Sequence, residues 1–444
     1  MSHVFGRDTQ IRFPTAVHGE GLYLIDSTGK RYLDASGGAA VSCLGHGHPV
    51  IREAVKRQID RLGYAHTGYF TNEPQEALAD ELIAHAPRDL TRAFFVTGGS
   101  EATEAALKVA RQYHLECGRP ERRHFISRWF SYHGNTLAAL SVSGHRARRQ
   151  TYLPLLNNVT HIPACFAYRG KEPGETDESY GLRVANELET AIQEVGPQNI
   201  AGFIAEPVVG ATLGAVPAVP GYFRRIREIC ERHEVLLILD EVMCGMGRTG
   251  TLHACEQEGI APDLLTVAKG LGAGYQPIGA MLVATKIYEA IARGSGAFNH
   301  GHTYMGHAVG CAAALAVQQV IREEDLLSNV RRQGAALRQL LEERLGNHPH
   351  VGDIRGRGLL CAIELVADRS SKTPFASTYK LHQRIKTQAM ADGLICYPGG
   401  GTADGIAGDH VLLAPPFNVT ASALEEIVDR VARAVNRAIG SLPP

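Results

Sequence analysis

Several features that would assign the chain to a broad class of protein are scarce or missing. The nine cysteines are an odd number with no CxxC pair, which argues against a disulfide framework and favours reduced thiols. Formal net charge is −1, so charge gives no reason to expect nucleic acid or an anionic membrane as a partner. No uninterrupted apolar run is long enough to span a bilayer, and the first residues lack the apolar core of a signal peptide. We therefore expect a cytoplasmic protein that acts on a small molecule.

The chain is long enough to bury a sizeable core. Its 444 residues are 44% apolar, and no internal repeat is evident, so we expect one large domain and a smaller one. Alternating apolar and polar residues around a turn predict a β-hairpin over residues 21–35, which follows a polar arm over residues 1–18. Farther along, we predict a helix over 377–393 and a mobile glycine-rich loop over 398–409. Residues 145–156 carry four basic side chains and form either a solvated face or a loop at the mouth of a site.

Two apolar runs near the middle of the chain each end in an ionisable side chain. Val235 to Leu239 is followed by Asp240, and Leu264 to Ala268 is followed by Lys269. Both runs are predicted to be buried parallel strands. Because ligands bind outside the carboxyl ends of the strands in an open α/β sheet, the acid and the lysine should face one crevice. The pair indicates a cofactor that needs both groups.

A glycine turn before a helix supplies a third element. The strand predicted for Ala93 to Gly99 ends in a glycine pair, and Ser100 caps the helix predicted to follow. Free amides and the positive end of the helix dipole suit a phosphate dianion, and glycine lets the backbone approach it closely. No Gly-Lys-Ser/Thr follows, which excludes a nucleotide P-loop. The turn is a weak signal alone and a strong one beside Asp240 and Lys269.

These elements together closely resemble a known family. An acid after a buried strand, and a lysine 29 residues later within Ala-Lys-Gly-Leu, resemble the class III aminotransferases, which use pyridoxal phosphate (PLP) and include the ornithine, 4-aminobutyrate and ω-amine transaminases. Matching motifs run from about Gly19 to Thr420. The resemblance implies an α/β protein of PLP-dependent transferase fold type I, with a large domain built on a mostly parallel sheet. Residues 51–325 should form this PLP-binding domain, and 1–50 and 326–444 should supply a smaller α+β domain.

The resemblance also assigns roles to particular side chains. Lys269 is expected to bind PLP as a Schiff base and then to move a proton between substrate and cofactor. Asp240 is expected to favour the protonated pyridine ring by placing an opposite charge near its nitrogen. The cofactor contacts implied are Gly99, Ser100, Tyr132, His133, Glu206, Asp240, Val242, Lys269 and Thr303.

Three of these contacts have a more specific role. Tyr132 should stack on the pyridine ring, and Glu206 should hydrogen-bond into the Asp240 network. Thr303 should reach across a subunit boundary to the partner's cofactor phosphate. That contact implies a homodimer with two composite sites, or a tetramer built from such dimers.

The sequence departs from the family where substrate carboxylates are bound. Ornithine-type members carry an arginine where this chain has Leu412 and a second where it has Asn135, and Tyr397 stands near the mobile arginine of certain ω-amine transaminases. These losses favour a primary amine or ω-amino acid as donor, with a keto acid such as pyruvate or 2-oxoglutarate as acceptor. The acceptor carboxylate then needs another cation, for which we considered Arg146 and Arg149.

The resemblance implies a donor pocket as well, and leaves other functions open. Pocket residues are expected at Tyr23, Ala40, Ser42, Tyr64 and Tyr397. A PLP aminomutase or decarboxylase of the same fold shares the lysine and aspartate, and differs in whether an external keto acid is needed. A non-catalytic PLP-binding protein is disfavoured by the intact cofactor set.

Two histidine groups were considered as metal sites. The pair within residues 45–49 has no third ligand at a plausible spacing. The three within 298–307 lie in the family's His-Thr-Tyr-x-Gly-His signature. We therefore predict no metal.

Overall fold

The structure, a computed structural model, describes residues 3–443. The first element in this range is a small antiparallel sheet. Its strands are β1 (Ala16–Glu20), β2 (Tyr23–Asp26) and β3 (Arg31–Asp34). The hairpin predicted over 21–35 is confirmed. The expected arm is shorter than predicted, because its last residues pair with β2. Helices α1 (Gly37–Ala40), α2 (Pro49–Arg61) and α3 (Glu73–Ala84) follow.

A seven-stranded sheet forms the centre of the molecule. Its strands in chain order are β4 (Leu90–Val96), β5 (His124–Arg128), β6 (Thr160–Ile162), β7 (Ile200–Ala205), β10 (Leu236–Asp240), β11 (Leu264–Val267) and β12 (Gly279–Ala284), while β8 (Val208–Val209) and β9 (Val216–Pro217) pair separately. The spatial order is β4-β12-β11-β10-β7-β5-β6. Only β12 runs against its neighbours, so the mostly parallel sheet is confirmed.

Helices cover both faces of this sheet. They are α4 (Gly99–Glu116), α5 (Leu137–Val142), α6 (Arg146–Gln150), α7 (Ala167–Gly170), α8 (Asp177–Val195), α9 (Tyr222–Arg232), α10 (Thr285–Arg293) and α11 (Ala308–Glu323). Within β10, Leu237 and Leu239 pack in one apolar cluster, and Leu236 and Ile238 pack in another on the opposite face. A strand buried on both faces needs a continuous apolar run, which is the pattern that predicted it.

The last part of the chain adds a second antiparallel sheet and three helices. They are α12 (Leu326–Leu345), β13 (Val351–Arg357), β14 (Leu360–Leu365), α13 (Leu381–Ala391), β15 (Leu394–Ile395), β16 (Tyr397–Gly400), β17 (Asp409–Leu413) and α14 (Ala421–Gly440). The sheet order is β13-β14-β17-β16, and β15 instead joins β3 in parallel. This pairing links the two segments expected to share a small domain, although the domain boundaries themselves stay a prediction.

Two local predictions differ from the structure. The glycine-rich segment 398–409 is not all loop, because Pro398 to Gly400 pair with β17 and Gly401 donates its amide hydrogen to the Gly408 carbonyl. The helix predicted over 377–393 is interrupted at Lys380, whose φ of 48° ends a short 3-10 turn before α13 begins. In the part of the chain described, no helix is long and apolar enough to cross a membrane. All nine cysteines, each within residues 3–443, are free.

Candidate active site

Asp240 is the last residue of β10, at the carboxyl edge of the sheet. Its side chain is only 3% exposed. Oδ2 lies 2.7 Å from Nδ1 of His133, and Oδ1 accepts the amide hydrogen of Val242 at 2.9 Å. An ionised carboxylate can only accept, so His133 donates from Nδ1 and both Asp240 oxygens are held in fixed directions. The buried carboxylate is therefore oriented as well as charged.

His133 connects Asp240 to the turn that follows β5. Its backbone amide donates to the Ser143 hydroxyl at 2.8 Å, and its ring is fully buried. Among the described residues, Nε2 of this ring has no hydrogen-bond partner. A buried ring nitrogen without a partner is unusual enough to mark a site where a ligand or water completes the network.

Lys269 follows β11 on the neighbouring strand end. Its backbone φ of 46° lies in the left-handed region, where a non-glycine residue persists only if its surroundings impose it. Burial lowers the pKa of Lys269 to about 8, while the carboxylates of Asp240 and Glu206 oppose that shift. Roughly a tenth of such an amine is neutral at pH 7, far more than for an ordinary lysine. A neutral amine is the form that attacks a carbonyl.

Glu206 follows β7 and fixes the backbone beside Asp240. Oε1 accepts the amide hydrogen of Tyr132 at 3.0 Å, and Oε2 accepts that of Gly210 at 3.0 Å. Burial raises the pKa of Glu206. Glu206 therefore joins the Asp240 network through the Tyr132-His133 segment and makes no direct hydrogen bond to Asp240.

The glycine turn before α4 is packed against two other turns. A Cβ on Gly99 would lie 2.7 Å from Cγ1 of Val242, and one on Gly134 would lie 2.6 Å from Oγ of Ser100. The Asn135 amide donates to that same Oγ at 3.1 Å. Glycine is required at both positions for the turns to approach. The first amides of α4, which no helical carbonyl can accept, are left at this meeting point.

These elements enclose one cavity of about 400 Å³. Eight predicted residues line it: Gly99, Ser100, Tyr132, His133, Glu206, Asp240, Val242 and Lys269. The groups fit the expected cofactor, with an amine for the aldehyde, a carboxylate for the ring nitrogen, an aromatic ring for stacking, and helix amides beside Ser100 for the phosphate. A Cβ on Gly98, which also lines the cavity, would meet no atom within 4 Å, so that turn leaves open space.

Thr303 is the predicted cofactor residue that does not line this cavity. It is exposed, and its carbonyl accepts a hydrogen bond from the Tyr64 hydroxyl at 3.0 Å. Tyr304 is 59% exposed, and Tyr69 and Phe70 are 83% and 67% exposed. Thr303 and Tyr64 therefore lie together on an aromatic surface of the single chain, outside its own cavity.

The other predicted pocket residues divide into two groups. Ala40 and half-buried Tyr397 pack in the same apolar cluster as Met243, which lines the cavity, and Ser42 lies near Gly274 in the cavity wall. Tyr23 does not line the cavity of the single chain: its ring packs against the core of the C-terminal helices, with the Arg31 guanidinium 4.4 Å from its centroid, and its place in the pocket stays a prediction.

Neither of the two arginines predicted for the substrate carboxylate lines the cavity. Arg149 donates from Nη1 to the carbonyls of Leu140, Ser141 and Ser143 at 2.9, 2.5 and 2.8 Å, and its assignment stays a prediction. Burial lowers the pKa of Arg149. Arg146 lies over the Trp129 ring, 4.7 Å from its centroid, and does not line the cavity.

Several cavity residues were missed by sequence reasoning. Val41, Thr97, Gln276 and Pro277 line the cavity without carrying a titratable group, so no chemical pattern marked them. Arg148 was also missed, although it lies between the two arginines considered. Its guanidinium is 4.8 Å from the centroid of the Tyr132 ring. This contact with Tyr132 exists only in the folded chain, so the sequence alone did not mark Arg148.

Comparison with known proteins identifies the class. The profile of the family "Aminotransferase class-III" matches residues 6–435, and the chain belongs to this family of PLP-dependent transaminases. An aminotransferase of Gibberella zeae is 46% identical over 94% of this chain and 83% of its own.

Two solved structures extend the comparison. A thermostable (S)-enantioselective ω-transaminase from Thermomicrobium roseum has a TM-score of 0.92 at 35% identity, covering 99% of this chain and 96% of that one. An aminotransferase from Vibrio fluvialis in its PMP-bound form has a TM-score of 0.92 at 33% identity, covering 99% and 97%. The PLP-dependent transferase fold type I is thereby confirmed.

Proposed function

We propose that this transaminase moves an amino group from a primary amine or ω-amino acid to a keto acid such as pyruvate or 2-oxoglutarate. One observation carries the proposal: among the described residues that line the cavity, Lys269 is the only lysine or arginine. A donor without a carboxylate on its reacting carbon can enter this lining without a further cation, whereas the carboxylate of the keto acid needs one from outside the lining. The ω-transaminase of known structure to which the chain is similar supports the same substrate class.

Replacement of the two ornithine-type arginines also supports this donor class. Leu412 lies within β17 and is fully buried in an apolar cluster, so its position offers neither charge nor hydrogen bond. Asn135 is exposed, and its amide serves the packing of the turn against Ser100. Neither position can bind a carboxylate as a guanidinium does.

The chain's own residues divide the work of the reaction. PLP supplies the electron sink when it is bound. Lys269 would attach the cofactor and carry a proton at Nζ, and the negative charge of Asp240 would favour a proton on the pyridine nitrogen. His133 keeps Asp240 oriented, and Glu206 keeps the Tyr132 backbone in place. Gly99, Ser100 and the α4 amides bind the phosphate, while Tyr132 and Val242 orient the ring.

A homodimer with composite sites is part of the proposal. Thr303 is exposed beside Tyr64, and the surrounding aromatic side chains form an apolar surface. Such surfaces on a single chain are characteristic of protein interfaces. In the dimer, Thr303 would serve the partner's phosphate site. The cytoplasmic location and the absence of a metal stay predictions. Among the described residues, no cluster of three histidine, cysteine or acidic side chains is arranged to hold one.

The test is the visible absorption of the PLP-loaded protein with single donors and no acceptor present. A donor that gives up its amino group should bleach the band above 400 nm, roughly the region of protein-bound PLP. Bleaching by simple amines or ω-amino acids, reversed by pyruvate or 2-oxoglutarate, supports the proposal. Bleaching only by α-amino acids would contradict the donor class. A band that no donor bleaches would favour the aminomutase, decarboxylase or non-catalytic alternatives.

A further inference from the structure

One arginine beside the cavity has a guanidinium with free hydrogen-bond donors. Arg148 is exposed, and its Cζ lies 4.8 Å from the centroid of the Tyr132 ring, which lines the cavity. Among the described residues, no hydrogen bond or ion pair involves this guanidinium. A guanidinium that stacks on an aromatic ring keeps its N–H groups directed outward in its own plane. That edge has the geometry that binds both oxygens of a carboxylate.

The neighbouring arginines of α6 are placed differently with respect to the cavity. Arg149 donates from Nη1 to three main-chain carbonyls. Arg146 is also exposed and stacked on an aromatic ring, but that ring belongs to Trp129, which does not line the cavity, whereas Tyr132 does. Consecutive residues of a helix point about 100° apart, so one of the three arginines of α6 can face the site while the others do not. Within α6 this residue is Arg148.

The cavity lacks a cation for a keto acid once Lys269 is committed to the cofactor. A carboxylate brought into a partly desolvated site needs a charged partner, or it loses its hydration without compensation. Arg148 is close enough for its charge to contribute to lowering the pKa of Lys269, although burial is the main cause of that shift. The same charge opposes the rise in the pKa of Tyr132 that burial causes. The field of Arg148 thus reaches the groups that surround the reacting carbon.

We propose that Arg148 binds the carboxylate of the keto-acid acceptor at the entrance of the cavity lined by Tyr132 and Lys269. The inference rests on the proposed transamination and assigns its acceptor specificity to one side chain. Tyr132 acts as the platform that orients the guanidinium. Acceptors without a carboxylate, such as simple aldehydes, lose nothing when Arg148 is absent.

The test compares Arg148→Ala and Arg148→Lys with a matched control, Arg92→Ala. Arg92 is an exposed arginine stacked on Tyr288 at 4.3 Å, near the start of β4 and so about 16 Å along the strand from the phosphate turn. We measure KM for pyruvate, 2-oxoglutarate and benzylamine, and the affinity of the PLP-loaded protein for pyruvate by calorimetry without a donor. Dissociation constants for PLP are measured on the apo proteins.

Arg148→Ala should raise the KM for pyruvate and 2-oxoglutarate, and the dissociation constant for pyruvate, about 10- to 100-fold. This is the loss expected for a bidentate charged contact. Its KM for benzylamine and affinity for PLP should stay within about twofold of the wild type. Arg148→Lys should recover part of the acceptor affinity, because it keeps the charge without the fork. Arg92→Ala should match the wild type throughout.

Two results would overturn the proposal. One is an unchanged acceptor KM in Arg148→Ala. The other is an equal rise for donor and acceptor together with weaker PLP binding, which would mean that Arg148 acts only by supporting Tyr132. If none of the donors bleaches the visible band of the wild-type protein, the transamination proposal fails instead. The pyruvate titration still reports on Arg148 in that case.

Discussion

The cavity has two unlike ends. At the sheet, Asp240, His133 and Glu206 are buried, and each makes hydrogen bonds that fix its position. At the entrance, Arg148 is exposed, and its guanidinium has only an aromatic ring as its described contact. In our proposal the buried end serves the cofactor chemistry, and the exposed end selects the acceptor. Changes at the first should affect kcat, and changes at the second should affect KM.

The largest effect is expected at Lys269. Lys269→Ala should lower turnover by about 10⁴-fold or more, because it removes both the covalent attachment and the proton carrier. Turnover and the visible band of the PLP-loaded protein are the measurements, with Lys56→Ala on the exposed face of α2 as the control. A variant that kept full turnover would refute the assignment of Lys269.

Asp240→Asn tests the charge at the buried end while nearly preserving its shape. The asparagine side chain can still accept the hydrogen bond from the Val242 amide, but the substitution removes the negative charge expected near the ring nitrogen. We expect kcat to fall about 10²- to 10³-fold, with a much smaller change in KM for pyruvate. Single-turnover bleaching by benzylamine measures this step. A raised KM for pyruvate with an unchanged kcat would contradict the division between the two ends.

The lowered pKa of Lys269 predicts how the apo protein takes up PLP at different pH. Below a pKa of about 8 the amine is protonated and cannot attack an aldehyde. The rate of covalent attachment should therefore rise about tenfold per pH unit below 8 and level off above it. Stopped-flow absorbance of apo protein mixed with PLP between pH 6 and 10 measures this. A rate still rising steeply between pH 9 and 10 would indicate an unshifted lysine.

Arg149→Ala should have the smallest catalytic effect and sharpens the contrast with Arg148. It removes three hydrogen bonds to main-chain carbonyls, so the free energy of unfolding should fall by about 1–3 kcal/mol. Its KM for pyruvate should stay within about threefold of the wild type. Urea denaturation and steady-state kinetics are the measurements. A pyruvate KM raised as far as in Arg148→Ala would return the carboxylate site to Arg149.

The sequence predicts the buried end well and the entrance poorly, for physical reasons. Asp240 and Lys269 stand at the ends of continuous apolar runs, and such runs form parallel strands whose carboxyl ends meet. Arg148 and Arg149 are adjacent in the same basic segment, and only the folded positions of the carbonyls around Arg149 tell them apart.

Two local predictions failed where the backbone departs from the preference of its own residues. Tyr397 to Gly400 contains a proline and two glycines, which disfavour a strand, yet pairing with β17 makes it one. Lys380 adopts a left-handed backbone that its side chain does not reveal. In both places the observed backbone differs from the local preference of the sequence.

The pairing of β3 with β15 has a consequence for how the protein is made. The two strands are separated by more than three hundred residues, and Val41, shortly after β3, lines the cavity. During synthesis, Lys269 and Asp240 leave the ribosome long before the strand that completes the small N-terminal sheet. The nascent chain must therefore carry an unpaired strand edge through most of its translation.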